Sequence, residues 1–439
     1  MLARLVMGGL LLSILNCAGD DGATPRATSR ASQPESTEVR PTESPQLNPN
    51  LSSPAVPALN LTPIGEPLIL RQRWAQPWDE VPGDGIIRES GSYVFELDSG
   101  KLLALSWSND IGDRGGYIAG RRGDATYVAD LVRSGGMQVA DGATRLMDWS
   151  ADGESFLARA GLEALYLIAR DGSHAELVIT GTVRDAAWRP GANAFAYEAD
   201  GGIFLLDLDA GSPREILPAS DGQPDATFRA WSRDGKWLLV NLNGAPRVVD
   251  VDAGESFELG ACCSYMEWSP VDNALLVGRY LQSGAEGEVF VLEESDLTDA
   301  AEVLSGEPIA NGLRPSWSPD GRSIAFLASG CTTDWTLHLI SRDGGDMRTP
   351  VGQSNVPKYQ FDWAPNGRYI TYAAYPVDGA NESGGEILVL DLESGEERTI
   401  ARSERASDAS GPTMRGPEFS EDGRWLFFDA SGGFGVCLG

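Results

Sequence analysis

One short pattern returns seven times along this chain and constrains its fold more than anything else in it. It reads Trp149-Ser-Ala-Asp-Gly153, Trp188-Arg-Pro-Gly191, Trp231-Ser-Arg-Asp-Gly235 and Trp268-Ser-Pro-Val-Asp272, then Trp317-Ser-Pro-Asp-Gly321, Trp363-Ala-Pro-Asn-Gly367 and Phe419-Ser-Glu-Asp-Gly423. The aromatic residues are spaced by 39, 43, 37, 49, 46 and 56 residues. Six of the twelve tryptophans occupy this single position, so the register is not accidental. Each copy ends a strand on an aromatic and turns sharply on Asp or Asn and Gly, residues that tolerate left-handed backbone. A β-rich run follows at once, as in Ser323-Ile-Ala-Phe-Leu327 or Tyr369-Ile-Thr-Tyr372. A third strand comes next, such as Glu386-Ile-Leu-Val-Leu-Asp391, then a second turn and a shorter polar strand such as Glu397-Arg-Thr-Ile400. Four antiparallel strands per unit of 40 to 50 residues describe the blade of a β-propeller. The aromatic is expected to pack between neighbouring blades.

The run Trp317-Ser-Pro-Asp-Gly-Arg-Ser-Ile-Ala-Phe326 resembles the core of the TolB-like, WD40-like (PD40) propeller repeat. The resemblance extends over roughly residues 90–439 and implies an all-β, single-propeller fold. It carries no catalytic residue with it. Adjacent Asp and Gly distinguish the motif from the sialidase Asp-box. On this reading the chain is expected to lack the α/β domain that precedes the propeller in TolB itself and the hydrolase domain that accompanies related propellers in prolyl peptidases.

Eight blades are expected, with seven as the alternative because the first unit matches the repeat poorly. Residues 92–141, with Tyr93–Asp98, Leu102–Leu105 and Thr126–Asp130, are read as that degenerate blade. After Phe419 only Trp425–Asp429 and Phe434–Leu438 are strand-like. An N-terminal strand must then complete the last blade and remove an open sheet edge. Leu68–Arg71 and Gly85–Arg88 are the candidates.

Ahead of the repeat lie two segments of different character. Residues 1–17 place Arg4 before an apolar run from Leu5 to Leu15, too short to cross a bilayer and the length of a signal-peptide core. The run ends in Ile14-Leu-Asn-Cys17, which resembles a bacterial lipobox, with Asn16 in place of the usual small residue. That resemblance implies that Cys17 is lipidated and becomes the mature N-terminus. Residues 18–62 are rich in Ser, Thr, Pro and Ala and lack periodic apolar positions, the composition of a disordered tether. Residues 63–439 are the propeller. The chain is thus expected to be exported and held on the extracytoplasmic side of a bacterial membrane through its lipid alone, in the periplasm or at the cell surface.

Charge and chemistry narrow the function by exclusion. The chain carries 34 basic and 64 acidic residues, a net charge of −30. Only four of the basic and five of the acidic residues precede position 63, so the acidity belongs to the propeller. Such a surface repels phosphate backbones and disfavours nucleic acid as a partner. The two histidines, His174 in a turn and His338 inside a strand-like run, are read as structural. No Gly-x-Ser-x-Gly elbow and no phosphate-binding Gly-rich loop occurs. Ser108–Asp113 carries closely spaced oxygens and loosely resembles a Ca2+ loop without its terminal Glu, so a solvated loop is preferred and no cofactor is expected.

Of the four remaining cysteines, Cys262 and Cys263 precede one blade's first strand, and Cys331 joins the second and third strands of the next. In a propeller both connections emerge on one face, so a disulfide from Cys331 to Cys262 or Cys263 competes with free thiols. Cys437 reads as core. The reading favoured is a non-enzymatic envelope scaffold that binds an unidentified protein or ligand. Its working face would carry the long loops 282–288, 376–384 and 402–411. The alternative is a carboxylate-dependent hydrolase or lyase acting on envelope glycans or peptides, expected if several acids converge on the channel in unlike environments.

Overall fold

The computed structural model describes residues 78–80, 86–87 and most of 91–431; outside it lie 106–107, 123–124, 132–134, 142–143, 219–225, 261–264, 281–286, 330–334, 351–357, 375–382 and 405–412. Eight antiparallel sheets follow one another around a ring. Blade 2 is typical: strands A to D are Thr144–Trp149, Ser155–Ala160, Ala164–Ala169 and Ala175–Thr180, paired in that order. Strand A stands innermost, beside strand A of the neighbouring blade.

The repeated turn explains itself in its hydrogen bonds. Ser150 Oγ donates to Asp152 Oδ1 (2.6 Å) and accepts the amide of Ser155 (3.0 Å), while Asp152 Oδ1 also accepts the amide of Glu154 (3.0 Å). Gly153, at φ +68°, supplies the left-handed residue that lets strand B return. The Ser-Asp bond recurs at Ser232–Asp234, Ser318–Asp320 and Ser420–Asp422. At Gly235 the turn also meets its neighbour, since a Cβ there would lie 2.8 Å from the Pro190 carbonyl of blade 3.

Each blade is covered on both faces by other blades, so the middle strands are buried on both sides. Leu238, Leu239 and Val240 are buried in succession, as are Phe195, Ala196 and Tyr197. The aromatics of the repeat fill the seams. Trp188, Phe195, Tyr197 and Phe204 of blade 3 pack against Leu157, Leu165, Val178 and Ile179 of blade 2. Trp149 meets Phe156 edge-on at 5.2 Å, and Trp188 meets Phe195 at 5.7 Å.

The ring closes differently from the expected arrangement. Blade 8 takes only Thr413–Phe419 and Trp425–Ser431 from the C-terminal part. Its third and fourth strands are the N-terminal hairpin Gly91–Glu96 and Lys101–Leu105. Tyr93 lies opposite Phe428 in register and stacks on it at 5.7 Å. Tyr93–Leu105 therefore belongs to blade 8, and blade 1 is built from Ser108–Asp141 alone. The hairpin wins this place because Tyr93, Val94, Phe95, Leu102 and Leu103 are apolar on both faces, as an interior position demands. Of the two closing candidates, Ile86–Ile87 instead pairs in parallel with Arg402–Ser403 at the outer edge of blade 7. Leu68–Arg71 and Phe434–Leu438 lie outside the described residues. Trp78–Glu80 adds a fifth strand to blade 8.

The wider gap between Trp268 and Trp317 holds a 3-10 turn, Glu294–Asp299, and one helical turn, Ala300–Val303, between the third and fourth strands of blade 5. Leu297 and Ala300 pack into the seam with blade 4, and Glu294 accepts bonds from Lys236, Trp237 and Asn273. Among the described residues no helix is long and apolar enough to cross a membrane.

Candidate functional site: the central channel

Strand A of each blade lines the channel, and the residue just before the blade aromatic has a double task. In four copies it is acidic: Asp148, Glu267, Asp362 and Glu418. In Asp148, Glu267 and Asp362 the carboxylate reaches across the seam to the next blade. The amide of Trp188 donates to Asp148 Oδ2 at 2.9 Å, and the amide of Phe419 donates to Asp362 Oδ2 at 2.9 Å. Glu267 accepts the amide of Trp317 and is approached by Ser316 Oγ at 3.4 Å and the Tyr265 hydroxyl at 3.3 Å. The indoles repeat the pattern on the backbone. Nε1 of Trp231, Trp268 and Trp317 donates to the carbonyl of Ala187, Ala230 and Glu267, each the residue before the previous blade's aromatic. One position thus ties neighbouring innermost strands together.

Burial governs the acids. It pushes the carboxyls of Asp148 and Asp362 up to about 6 and that of Glu267 up to about 7, although the backbone bonds they accept pull the other way. Glu198, buried on the second strand of blade 3, accepts the Phe228 amide at 2.6 Å and is likewise pushed up to about 7. Glu418 keeps solvent contact within the channel, yet its walls still raise its carboxyl.

Two cavities open on this wall. The first, about 290 Å³, is shared by the innermost strands of blades 5 to 8 and lined by Tyr265, Arg314, Gln360, Asp362 and Glu418 among others. Arg314 is exposed, adopts a left-handed backbone at φ +53° and makes no hydrogen bond or ion pair among the described residues. Gln360 accepts the Gly416 amide through Oε1 at 2.7 Å. The second cavity, about 860 Å³, lies at the Trp-turn end of blades 2 to 5 and collects Trp149, Trp188, Trp231 and Trp268 with Arg114 and Arg189. Those two arginines are engaged, with Glu421 and with Asp252. Nε1 of Trp188 is buried there with no hydrogen-bond partner among the described residues.

The seven repeat aromatics each join a cluster that spans two neighbouring blades. The acidic residue one position earlier shows in the sequence only as the pairs Asp-Trp, Glu-Trp, Asp-Trp and Glu-Phe. Ser108–Asp113, read from the sequence as a loop, instead forms the innermost strand of blade 1 with Arg114. Among the described residues no three His, Cys, Asp or Glu side chains are grouped to hold a metal. His174 is exposed and 4.0 Å from Glu176, whereas His338 stacks on Phe326 at 5.6 Å, which fits a structural role for it. Cys17, Cys262, Cys263, Cys331 and Cys437 lie outside the described residues, as do most of the three long loops.

No family model matches the chain. It is 27% identical over 164 residues to an uncharacterised protein of Agrobacterium fabrum, covering 37% of this chain and 49% of that one. It is 26% identical to an uncharacterised peptidase of Bacillus subtilis, covering 27% of this chain and 21% of that one. The chain thus spans about half of the one relative and a fifth of the other. Among solved structures it is similar to a TolB-type protein of Agrobacterium tumefaciens (16% identity, TM-score 0.34, 80% of this chain and all of that one). Oligogalacturonate lyase of Vibrio parahaemolyticus (11%, TM-score 0.43, 72% and 96%) and the C-terminal WD40 domain of Sif2 (11%, TM-score 0.46, 80% and 99%) are further neighbours. With eight sheets arranged as blades around a ring, the chain is an eight-bladed β-propeller.

Proposed function

We propose that this chain is an exported, lipid-anchored scaffold of the bacterial cell envelope whose propeller binds a protein or small ligand without transforming it. The observation that supports this most is how the channel acids are used. Asp148, Glu267 and Asp362 each accept the backbone amide of the next blade's aromatic, so these carboxylates hold the ring together. A ring closed by its own N-terminal hairpin also offers a rigid frame for loops, which suits recognition. The lipobox-like Cys17 and the tether to residue 62 would present that frame away from the membrane.

A second reading has one observation in its favour. Asp362 lines the cavity of blades 5 to 8, and Glu267 is bonded to two of its lining residues, Tyr265 and Ser316. Both carboxyls are pushed into the range of about 6 to 7, where they can exchange protons near neutral pH. A hydrolase or lyase acting on envelope glycans or peptides would use such a pair.

Cell fractionation and cross-linking test the first reading. Cys17→Ser should move the protein from the membrane to the soluble fraction. Shortening the loops 282–288, 376–384 and 402–411 one at a time should reduce cross-linked partner in at least one folded variant. A Cys17→Ser protein still in the membrane fraction contradicts the anchor, and undiminished cross-linking in all three loop variants contradicts the working face.

A further inference from the structure

We propose that the cavity shared by blades 5 to 8 binds a small zwitterion, an α-amino acid or a peptide short enough to present both of its termini, with Arg314 holding the carboxylate and Glu418 the ammonium group. The proposal rests on the binding reading above and names the ligand class for it.

Three features of the cavity point there. Arg314 and Glu418 both line it, and neither makes a hydrogen bond or ion pair among the described residues. Arginines near the seams are engaged by acids, as Arg114, Arg189, Arg342 and Arg368 show. Arg314 lines an acid-bearing cavity with no such ion pair among the described residues. The backbone of Arg314 is held at φ +53°, a conformation costly for a residue with a Cβ. Pro315 follows it, is buried, and disfavours the right-handed alternative. The side chain is thereby aimed by a rigid main chain.

The polar groups between the two charges add recognition. Gln360 uses Oε1 to accept the Gly416 amide, which leaves its NH2 group to donate to a carboxylate or a peptide carbonyl. Asp362 contributes a second acid on the Glu418 side. A cavity of about 290 Å³ lies at the small end of ligand sites and suits one or two amino-acid residues. A dianion would meet Glu418 and Asp362, and a simple cation would meet Arg314. A ligand carrying one charge of each sign satisfies both walls.

The test is isothermal titration of the full-length chain in detergent micelles with L-alanine, L-alanyl-L-alanine, the dipeptide amide and the N-acetyl dipeptide. The dipeptide or the amino acid should bind, and which one does so tells the two sources apart. Amidation and acetylation should each weaken dipeptide binding about tenfold or more, the loss of one charge-assisted contact. Arg314→Gln should weaken the dipeptide by a similar factor and leave the amide unaffected. Glu418→Gln should weaken the dipeptide and leave the N-acetyl form unaffected. Both side chains are exposed and make no hydrogen bond or ion pair among the described residues, and the derivatised ligands test the same point on the unaltered protein. No binding of either zwitterion, or equal binding of the amide and the free acid, overturns the proposal. If envelope fragments are retained while neither zwitterion binds, the site is wrong and the binding reading stands. If the dipeptide binds and free alanine is released, the site is right and the binding reading fails.

Discussion

The amide of Trp188 donates to Asp148 Oδ2 at 2.9 Å across the seam between blades 2 and 3, and the amide of Phe419 does the same to Asp362 between blades 7 and 8. The acid that precedes one blade's aromatic thereby fixes the height of the next blade's aromatic. Asp148→Ala or Asp362→Ala leaves a backbone donor unpaired in a desolvated seam and should cost about 1–3 kcal/mol. Asp→Asn keeps an acceptor oxygen and should cost less. Chemical denaturation of the single variants checks this order; equal losses for Ala and Asn would point to the charge instead of the bond.

The same acids set a pH dependence. Asp148, Glu198, Glu267 and Asp362 have carboxyls raised to between about 6 and 7 by burial, above the value of about 4 for an unfolded chain. The native state therefore holds more protons than the unfolded state between those limits. Their contribution is fully present below about pH 4 and is lost as pH rises through 6 to 7. Acids of the turns work in the opposite sense: Asp152 and Asp320 are held below the ordinary value by their serine bonds, and that stability is lost as pH falls. Thermal unfolding should show a maximum near pH 5 and a decline towards pH 8. Glu198→Gln should flatten the alkaline decline. An alkaline decline that high salt removes entirely would assign it to surface repulsion.

Much of this architecture was legible in the repeat, and the reasons are local. Trp-Ser-x-Asp-Gly is a self-contained turn whose bonds, such as Ser318 to Asp320, span two residues, so its sequence specifies its shape. An Asp or Glu beside an Asp-rich turn looks like one more solvating group, because its partner lies 40 to 57 residues away. The closing hairpin was placed in the wrong blade because Tyr93–Leu105 meets Trp425–Ser431 only through a pairing more than 300 residues apart. Arg314 and Glu418 come together for the same reason: four separate blades build one cavity wall.

Glycine substitutions separate turn strain from blade contact. Gly161 (φ +60°) faces open space, so Gly161→Ala should cost only left-handed strain, about 1–2 kcal/mol. Gly235 (φ +72°) would also press a methyl group on the Pro190 carbonyl at 2.8 Å, so Gly235→Ala should cost more. Equal losses in denaturant would remove the blade contact from the account.

Closure depends on the N-terminal hairpin. Removing residues 1–62 should leave the cooperative unfolding transition intact. Removing residues 1–106 deletes Gly91–Leu105, bares the edge of Trp425–Ser431 and should abolish cooperativity or bring aggregation. Scanning calorimetry and size-exclusion chromatography of the two truncations check this, and an unchanged melting profile for the longer deletion would contradict the closure.

The most direct test of the central claim, that the channel acids hold the ring and the propeller binds without turnover, is mass spectrometry of envelope glycan and peptide fragments passed over the immobilised full-length chain. Fragments retained and eluted with unchanged mass are the predicted result. Fragments eluted as cleavage products, with cleavage lost in folded Glu267→Gln or Asp362→Asn proteins, would contradict it.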